Sequence, residues 1–276
     1  MIALAIAPLS PGRPRRTSAP VTADLFDRRL RALRRDRAAR VGTELFLYDR
    51  AFDECLDRLR DIVRHFERCL LIGCPSRDWP EKLAEFTRQI DPVDPGPLFA
   101  AAVGGQMVEE DRFDFGLERY DLAVAVGTLD SVNELPLALK LVHRALRPGS
   151  PLIGAIAGGN SLPALRASLI EAGRAEGRAV ARTHPRIEAP TLAVLLSSAD
   201  YAMPVVDVDR VTLRYSGFGS LVKDLRAMGA TSMLADRPPA MTRKELQTAA
   251  KAFDGLGSSG RTEEQIEILH FLAWRK

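Results

Sequence analysis

The sequence predicts an α/β protein: a doubly wound, mostly parallel sheet with helices on both faces and a final antiparallel strand. Three observations carry that expectation. Residues 69–73 (Cys-Leu-Leu-Ile-Gly), 122–126 (Leu-Ala-Val-Ala-Val) and 151–157 (Pro-Leu-Ile-Gly-Ala-Ile-Ala) are short apolar runs, the pattern of strands buried on both faces. Stretches of helical period separate them, and with a weaker run at 98–103 the strands recur every 30 residues or so, roughly the length of a βαβ unit. Each of the three strong runs leads into glycine, at Gly73, Gly127 and Gly158.

The elements follow in chain order. Leu25, Phe26, Leu30 and Leu33 recur at three- to four-residue spacing, which predicts a short amphipathic helix over residues 22–40. Leu45, Tyr48, Phe52, Cys55, Leu59 and Ile62 place a second apolar stripe toward a core. After the strand at 69–73, Pro80 fits a helix start whose apolar side is Trp79, Leu83 and Phe86. Residues 135–146 read as a helix stopped by Pro148-Gly149. Beyond 160, helices are expected at 162–175, 190–199 and 218–228, and a strand at 204–208. Thr242 with Glu245 three residues on forms a capping box before a helix at 246–253, and 266–274 closes the chain as the last strand.

Composition narrows the function classes. The chain has 276 residues, 46% hydrophobic and 27% charged, an ordinary globular profile that excludes fibrous and broadly disordered readings. No apolar run reaches the ~18 residues of a membrane span, and the opening MIALAIAPL lacks the basic n-region of a secretory signal. Cys55, Cys69 and Cys74 have no metal spacing and cannot all pair, which points to a reducing cytoplasm. The net charge of +3 is uneven: residues 1–40 hold ten Arg and three Asp, a basic arm on a mildly acidic body. Without lysines or interleaved aromatics this arm reads as a solvated helix face rather than a nucleic-acid contact. Residues 1–21 read as a disordered leader, 22–67 as an N-terminal helical arm and 68–276 as the α/β domain.

In an open α/β sheet the ligand crevice lies beyond the carboxyl ends of the strands. The loops starting at Gly73, Gly127 and Gly158 are therefore the candidate site. The element order, the Tyr120-Asp121-Leu122 strand entry and the Arg147-Pro148-Gly149 turn resemble the class I S-adenosylmethionine-dependent methyltransferases, with their Rossmann-like fold. Within that family, three segments and the ending Trp274-Arg275-Lys276 resemble one branch. The segments are Leu25-Phe26-Asp27-Arg28 through Arg37-Ala38-Ala39-Arg40, Val132-Asn133-Glu134-Leu135-Pro136, and Ile153-Gly154-Ala155 with Gly158-Gly159-Asn160-Ser161-Leu162. The branch is that of the mitochondrial complex I assembly factor with a methyltransferase fold and its alphaproteobacterial relatives, and the resemblance spans most of residues 22–276.

The resemblance implies S-adenosylmethionine as cofactor, with Gly73 and Cys74 at its first loop and Asp94 at its ribose. Glu109, Glu110 or Asp111 would lie near its adenine, and Asp130 beyond the central strand. Asn133, which matches the branch motif, is a substrate position; His184 lies in the segment expected to cover the pocket, and Tyr215, Tyr201 and Phe218 are lid candidates that could equally be core or surface packing. The chain departs from the pattern at Leu71, where the family has an acid, and at Pro75 and Arg77, where it has glycines. Proline donates no N–H and fixes φ. An Arg77 turned into the pocket would repel the sulfonium by roughly 3 kcal/mol at 5 Å and an effective dielectric of about 20. His143 and His270 read as structural, Cys74 as a buried thiol, and no metal-ligand constellation is visible. Two functions follow: a methyltransferase acting on a protein or small molecule, or an inactive methyltransferase fold that binds or assembles a respiratory complex. The branch also implies arginine hydroxylation, for which no 2-His-1-carboxylate spacing appears; an anionic ligand drawn by Arg77 is the remaining alternative.

Overall fold

The central strand β1, Phe66–Ile72, is built from residues buried on both sides of the sheet: Cys69, Leu70, Leu71 and Ile72 are all essentially inaccessible. The computed structural model describes residues 24–42, 44–178 and 182–276, so the leader expected at 1–21 lies outside the described residues. Parallel to β1 run β2, Thr87–Asp94, on one side and β4, Leu122–Val126, on the other. A two-residue β3, Gln106–Met107, pairs outside β2, and β5, Pro151–Ala157, pairs parallel to β4. The long β7, Thr262–Arg275, runs antiparallel between β5 and β6, Tyr201–Tyr215. The sheet order is thus β3-β2-β1-β4-β5-β7-β6. The mostly parallel sheet and final antiparallel strand match the sequence expectation.

Helices cover both faces. On one side α2 (Phe46–Asp61), α3 (Asp78–Leu83), α6 (Pro163–Ala175), α8 (Phe218–Ala227) and α9 (Arg243–Gly255) enclose a core that includes Phe52, Leu71, Trp79 and Phe253. On the other, α5 (Leu135–Ala145) and α7 (Ala189–Ser198) pack on Leu70, Ile72, Leu152 and Phe271. Leu71 therefore serves the core: it points to the α2 side, where an acid would be desolvated without a partner. Trp79 stacks on Phe52 at 4.3 Å and donates its Nε1–H to Asp49 at 2.7 Å, so the buried indole is fully paired. The capping box of α9 forms as expected, with Thr242 and Glu245 satisfying each other's backbone N–H groups.

Three expectations are corrected. The strand expected at 98–103 is the helix α4, Pro97–Ala102, and the true second strand is β2. Its Asp-Pro-Val-Asp-Pro sequence hid it, but only Val93 and Asp94 pair outward with β3, so β2 is nearly an edge strand, where a proline is tolerated. Strand β6 runs far beyond 204–208, because it follows β7 along almost its whole length. The third correction concerns α1, Arg28–Val41. Its expected apolar stripe is only partly buried: Phe26 is 3% exposed and Leu30 packs beside it, but Leu25 and Leu33 are 46% and 49% exposed, whereas Arg31 and Arg35 are 3% and 5% exposed. The basic face of this helix is turned inward.

Candidate functional site

The carboxyl ends of β1, β2 and β4 form the expected crevice, and α1 lies in it. Gly73, following β1, has φ +78°, and a Cβ there would stand 2.3 Å from the Val126 carbonyl oxygen, so only glycine lets the two strand ends approach. Gly127, following β4, has φ +73° and a Cβ would sit 2.5 Å from the Tyr48 ring, which closes over it from α2.

Asp94 ends β2 and is fully buried. Its carboxylate accepts two parallel bonds from Arg35, Nε to Oδ1 at 2.7 Å and Nη2 to Oδ2 at 2.6 Å. It also accepts the backbone N–H of Cys74 at 3.0 Å and of Gly96 at 2.7 Å. Glu110, equally buried, is held by Arg31 at 2.6 and 2.8 Å, and Arg31 also donates to the Thr128 carbonyl at 2.7 Å and to Ser131 Oγ at 3.1 Å. Burial alone would raise the Glu110 carboxyl, but the charge and hydrogen bonds of Arg31 outweigh it and hold the group below the usual carboxylate range. Arg28 forks onto Asp111 at 2.6 and 2.7 Å and also donates to Glu109. Residues 28, 31 and 35 share one helix face by their spacing of three and four. A single face of α1 thus delivers three guanidinium groups to the carboxylates that the family resemblance assigns to ribose and adenine. All four acceptor positions of Asp94 are taken and both oxygens of Glu110 lie on Arg31, so a sugar hydroxyl or a base at these carboxylates would have to displace an arginine or a backbone donor.

Asn133 anchors the start of α1, accepting the Phe26 N–H at 2.7 Å and donating to the Phe26 carbonyl at 3.0 Å. His184 accepts the Met233 N–H on Nε2 at 2.9 Å and meets the Phe26 ring edge-on at 5.1 Å. Burial lowers its pKa to about 4, so near neutrality the ring is uncharged with its proton on Nδ1. Cys74 is buried with its thiol pushed up to about 12 by burial, an inert state. Arg77 is exposed at the start of α3, not in the crevice; the cations that occupy the crevice are Arg31 and Arg35. Tyr215 lies in the core at the end of β6, where it pairs with Thr262, and Phe218 and Tyr201 are buried as well. Asp130 stands in a short helical turn, Leu129–Ser131, after β4 and lines a hollow that reaches from Arg31 and Arg35 toward α8. The sequence reading missed Arg28, Arg31, Arg35 and Tyr48; the i, i+3, i+7 spacing of the three arginines was the available signal.

The sheet order and helix placement match solved structures. A candidate methyltransferase of Bacillus halodurans aligns over 80% of this chain and 98% of its own with a TM-score of 0.55 at 12% identity, and the YcgJ protein of Bacillus with a TM-score of 0.54 at 13%. Among curated proteins, the human and zebrafish mitochondrial arginine-hydroxylases NDUFAF5 are each 26% identical. The alignments cover 95% and 91% of this chain and 80% and 83% of theirs. The chain is a homologue of NDUFAF5 on the class I methyltransferase fold. A malonyl-[acyl-carrier protein] O-methyltransferase of Laribacter hongkongensis is 30% identical over 64% of this chain and 59% of its own. No family model matches the chain. Among the described residues of this class I fold, no three His, Cys, Asp or Glu side chains gather to hold a metal ion, and no helix is long and apolar enough to cross a membrane.

Proposed function

We propose that this protein is a methyltransferase-fold binding factor that assists assembly of a respiratory complex and does not use S-adenosylmethionine in the usual mode. The observation that carries the reading is the bidentate pairing of Arg35 with Asp94 and Arg31 with Glu110. Breaking a buried pair costs about 3–5 kcal/mol, so freeing both carboxylates costs on the order of 6–10 kcal/mol. A micromolar ligand supplies about 8 kcal/mol in all, which the exchange would consume. Pro75 supports the reading, since it offers no N–H to a ligand at the first loop. The respiratory partner rests on the branch resemblance and on descent shared with NDUFAF5. Three buried free thiols accord with a reducing compartment such as the cytoplasm. Tagged full-length protein, recovered under mild lysis, is expected to bring down a subunit of an inner-membrane respiratory complex. Recovery of the chain alone, or transfer of a labelled methyl group from S-adenosylmethionine to a cell protein, would contradict the proposal.

A further inference from the structure

The hollow beside the paired crevice has a chemistry of its own. Its walls are largely apolar side chains such as Leu47, Ala155, Leu162, Met228 and Ile266, a concave apolar lining of the kind small-molecule sites have. Two opposite charges face it. Arg186 makes no hydrogen bond or ion pair among the described residues, although burial lowers its pKa and Asp130 and Tyr48 act on it electrostatically. Asp130 lines the same hollow and likewise has no hydrogen bond or ion pair with a described residue. The two are close enough to feel each other, yet no nitrogen–oxygen pair between them comes within the 4.0 Å of an ion pair. A partly buried arginine without a counter-ion gains paired, charge-assisted hydrogen bonds when a carboxylate forks onto it. A lone anion placed there would meet Asp130. A group bearing both signs would satisfy the arginine and the aspartate at once, with an apolar tail in the hollow. Arg31 and Arg35 do not compete for it, since Glu110 and Asp94 already hold them. His184, uncharged near neutrality, adds no third charge to the hollow it helps line.

We infer that this hollow binds the zwitterionic head of a free α-amino acid with an apolar side chain, the carboxylate on Arg186 and the ammonium on Asp130. The inference goes beyond the proposed function: Arg31 and Arg35 line part of the same hollow, but the ligand contacts are Arg186 and Asp130.

Calorimetric titration of the full chain with norleucine, hexanoate and pentylamine tests it, because the last two each lack one charge. Norleucine is expected to bind with a submillimolar Kd. Hexanoate and pentylamine should bind about 10- to 100-fold more weakly, the value of one charged hydrogen-bonding partner. Arg186→Gln and Asp130→Asn should each weaken norleucine by the same factor. Arg186 has no described partner to lose, so Arg186→Gln should leave the melting temperature of the ligand-free protein unchanged or higher; a marked fall would assign it a structural role and overturn the inference. Equal binding of hexanoate and norleucine would remove Asp130 from the site, and no binding of any of the three would end the idea. S-adenosylmethionine carries the same α-amino-acid head, so its displacement of norleucine sustains the site, and only displacement that is lost in Asp94→Asn contradicts the proposed function; the two failures are distinguishable.

Discussion

Arg35→Ala is the most informative perturbation of the helix–crevice contact. It leaves Asp94, which is 0% exposed, with two backbone N–H donors and no counter-charge. Removing one partner of a buried pair costs about 3–5 kcal/mol. The two remaining N–H bonds hold part of the charge, which places the loss near the lower end, at about 3 kcal/mol. The contact of the guanidinium with the Phe99 ring, 5.0 Å from its centroid, is lost as well. For a chain of this size such a loss lowers the melting temperature by roughly 6–12 °C. Urea unfolding followed by far-ultraviolet circular dichroism measures it. Adding Asp94→Asn should recover much of the loss, because the neutral amide no longer needs a cation, and the double-mutant cycle should report a coupling of about 2 kcal/mol or more. A loss under about 1 kcal/mol, the value of an exposed pair, would show that Asp94 does not depend on Arg35 as a buried counter-charge.

Other perturbations separate the remaining parts of the account. His184 is uncharged in the fold with a pKa of about 4 against 6.5 for the free side chain, so its contribution is complete above 6.5 and is lost as pH falls toward 4. Stability should fall by about 2 kcal/mol between pH 7 and 5, and His184→Gln should flatten that slope in denaturant titrations. Glu110 adds a second loss at lower pH: its lowered pKa gives stability present above the usual carboxylate range and lost as acid protonates it. Gly73→Ala should destabilise by more than about 2 kcal/mol, since it adds both a positive-φ penalty and a collision with the Val126 carbonyl. Asn133→Ala should cost about 1–3 kcal/mol and increase amide exchange around Phe26. Cys55, Cys69 and Cys74 should resist thiol reagents until the chain unfolds, because all three are buried with raised thiol pKa values.

The sheet was largely legible because its strands carry their own signal. The run from Cys69 to Ile72 and that from Leu122 to Val126 are apolar on both faces, and that pattern has few other uses. Strand β2 was not, since Pro92 and Pro95 argue against a strand unless its exposed edge is known. The acidic candidates Asp94 and Glu110 were found through the family pattern, but their partners were not. Hydrophobic periodicity assigns buried faces by apolarity, and α1 buries its charged face because the acids opposite it pay for the desolvation. That complementarity spans 59 residues between Arg35 and Asp94 and 79 between Arg31 and Glu110, so no local window could display it.

The central claim is that α1 fills the adenosine end of the crevice with its own arginines. Calorimetric titration of the intact chain with S-adenosylmethionine up to millimolar concentration tests it most directly. No saturable heat that depends on Asp94 is expected. A micromolar Kd that is abolished by Asp94→Asn would contradict it.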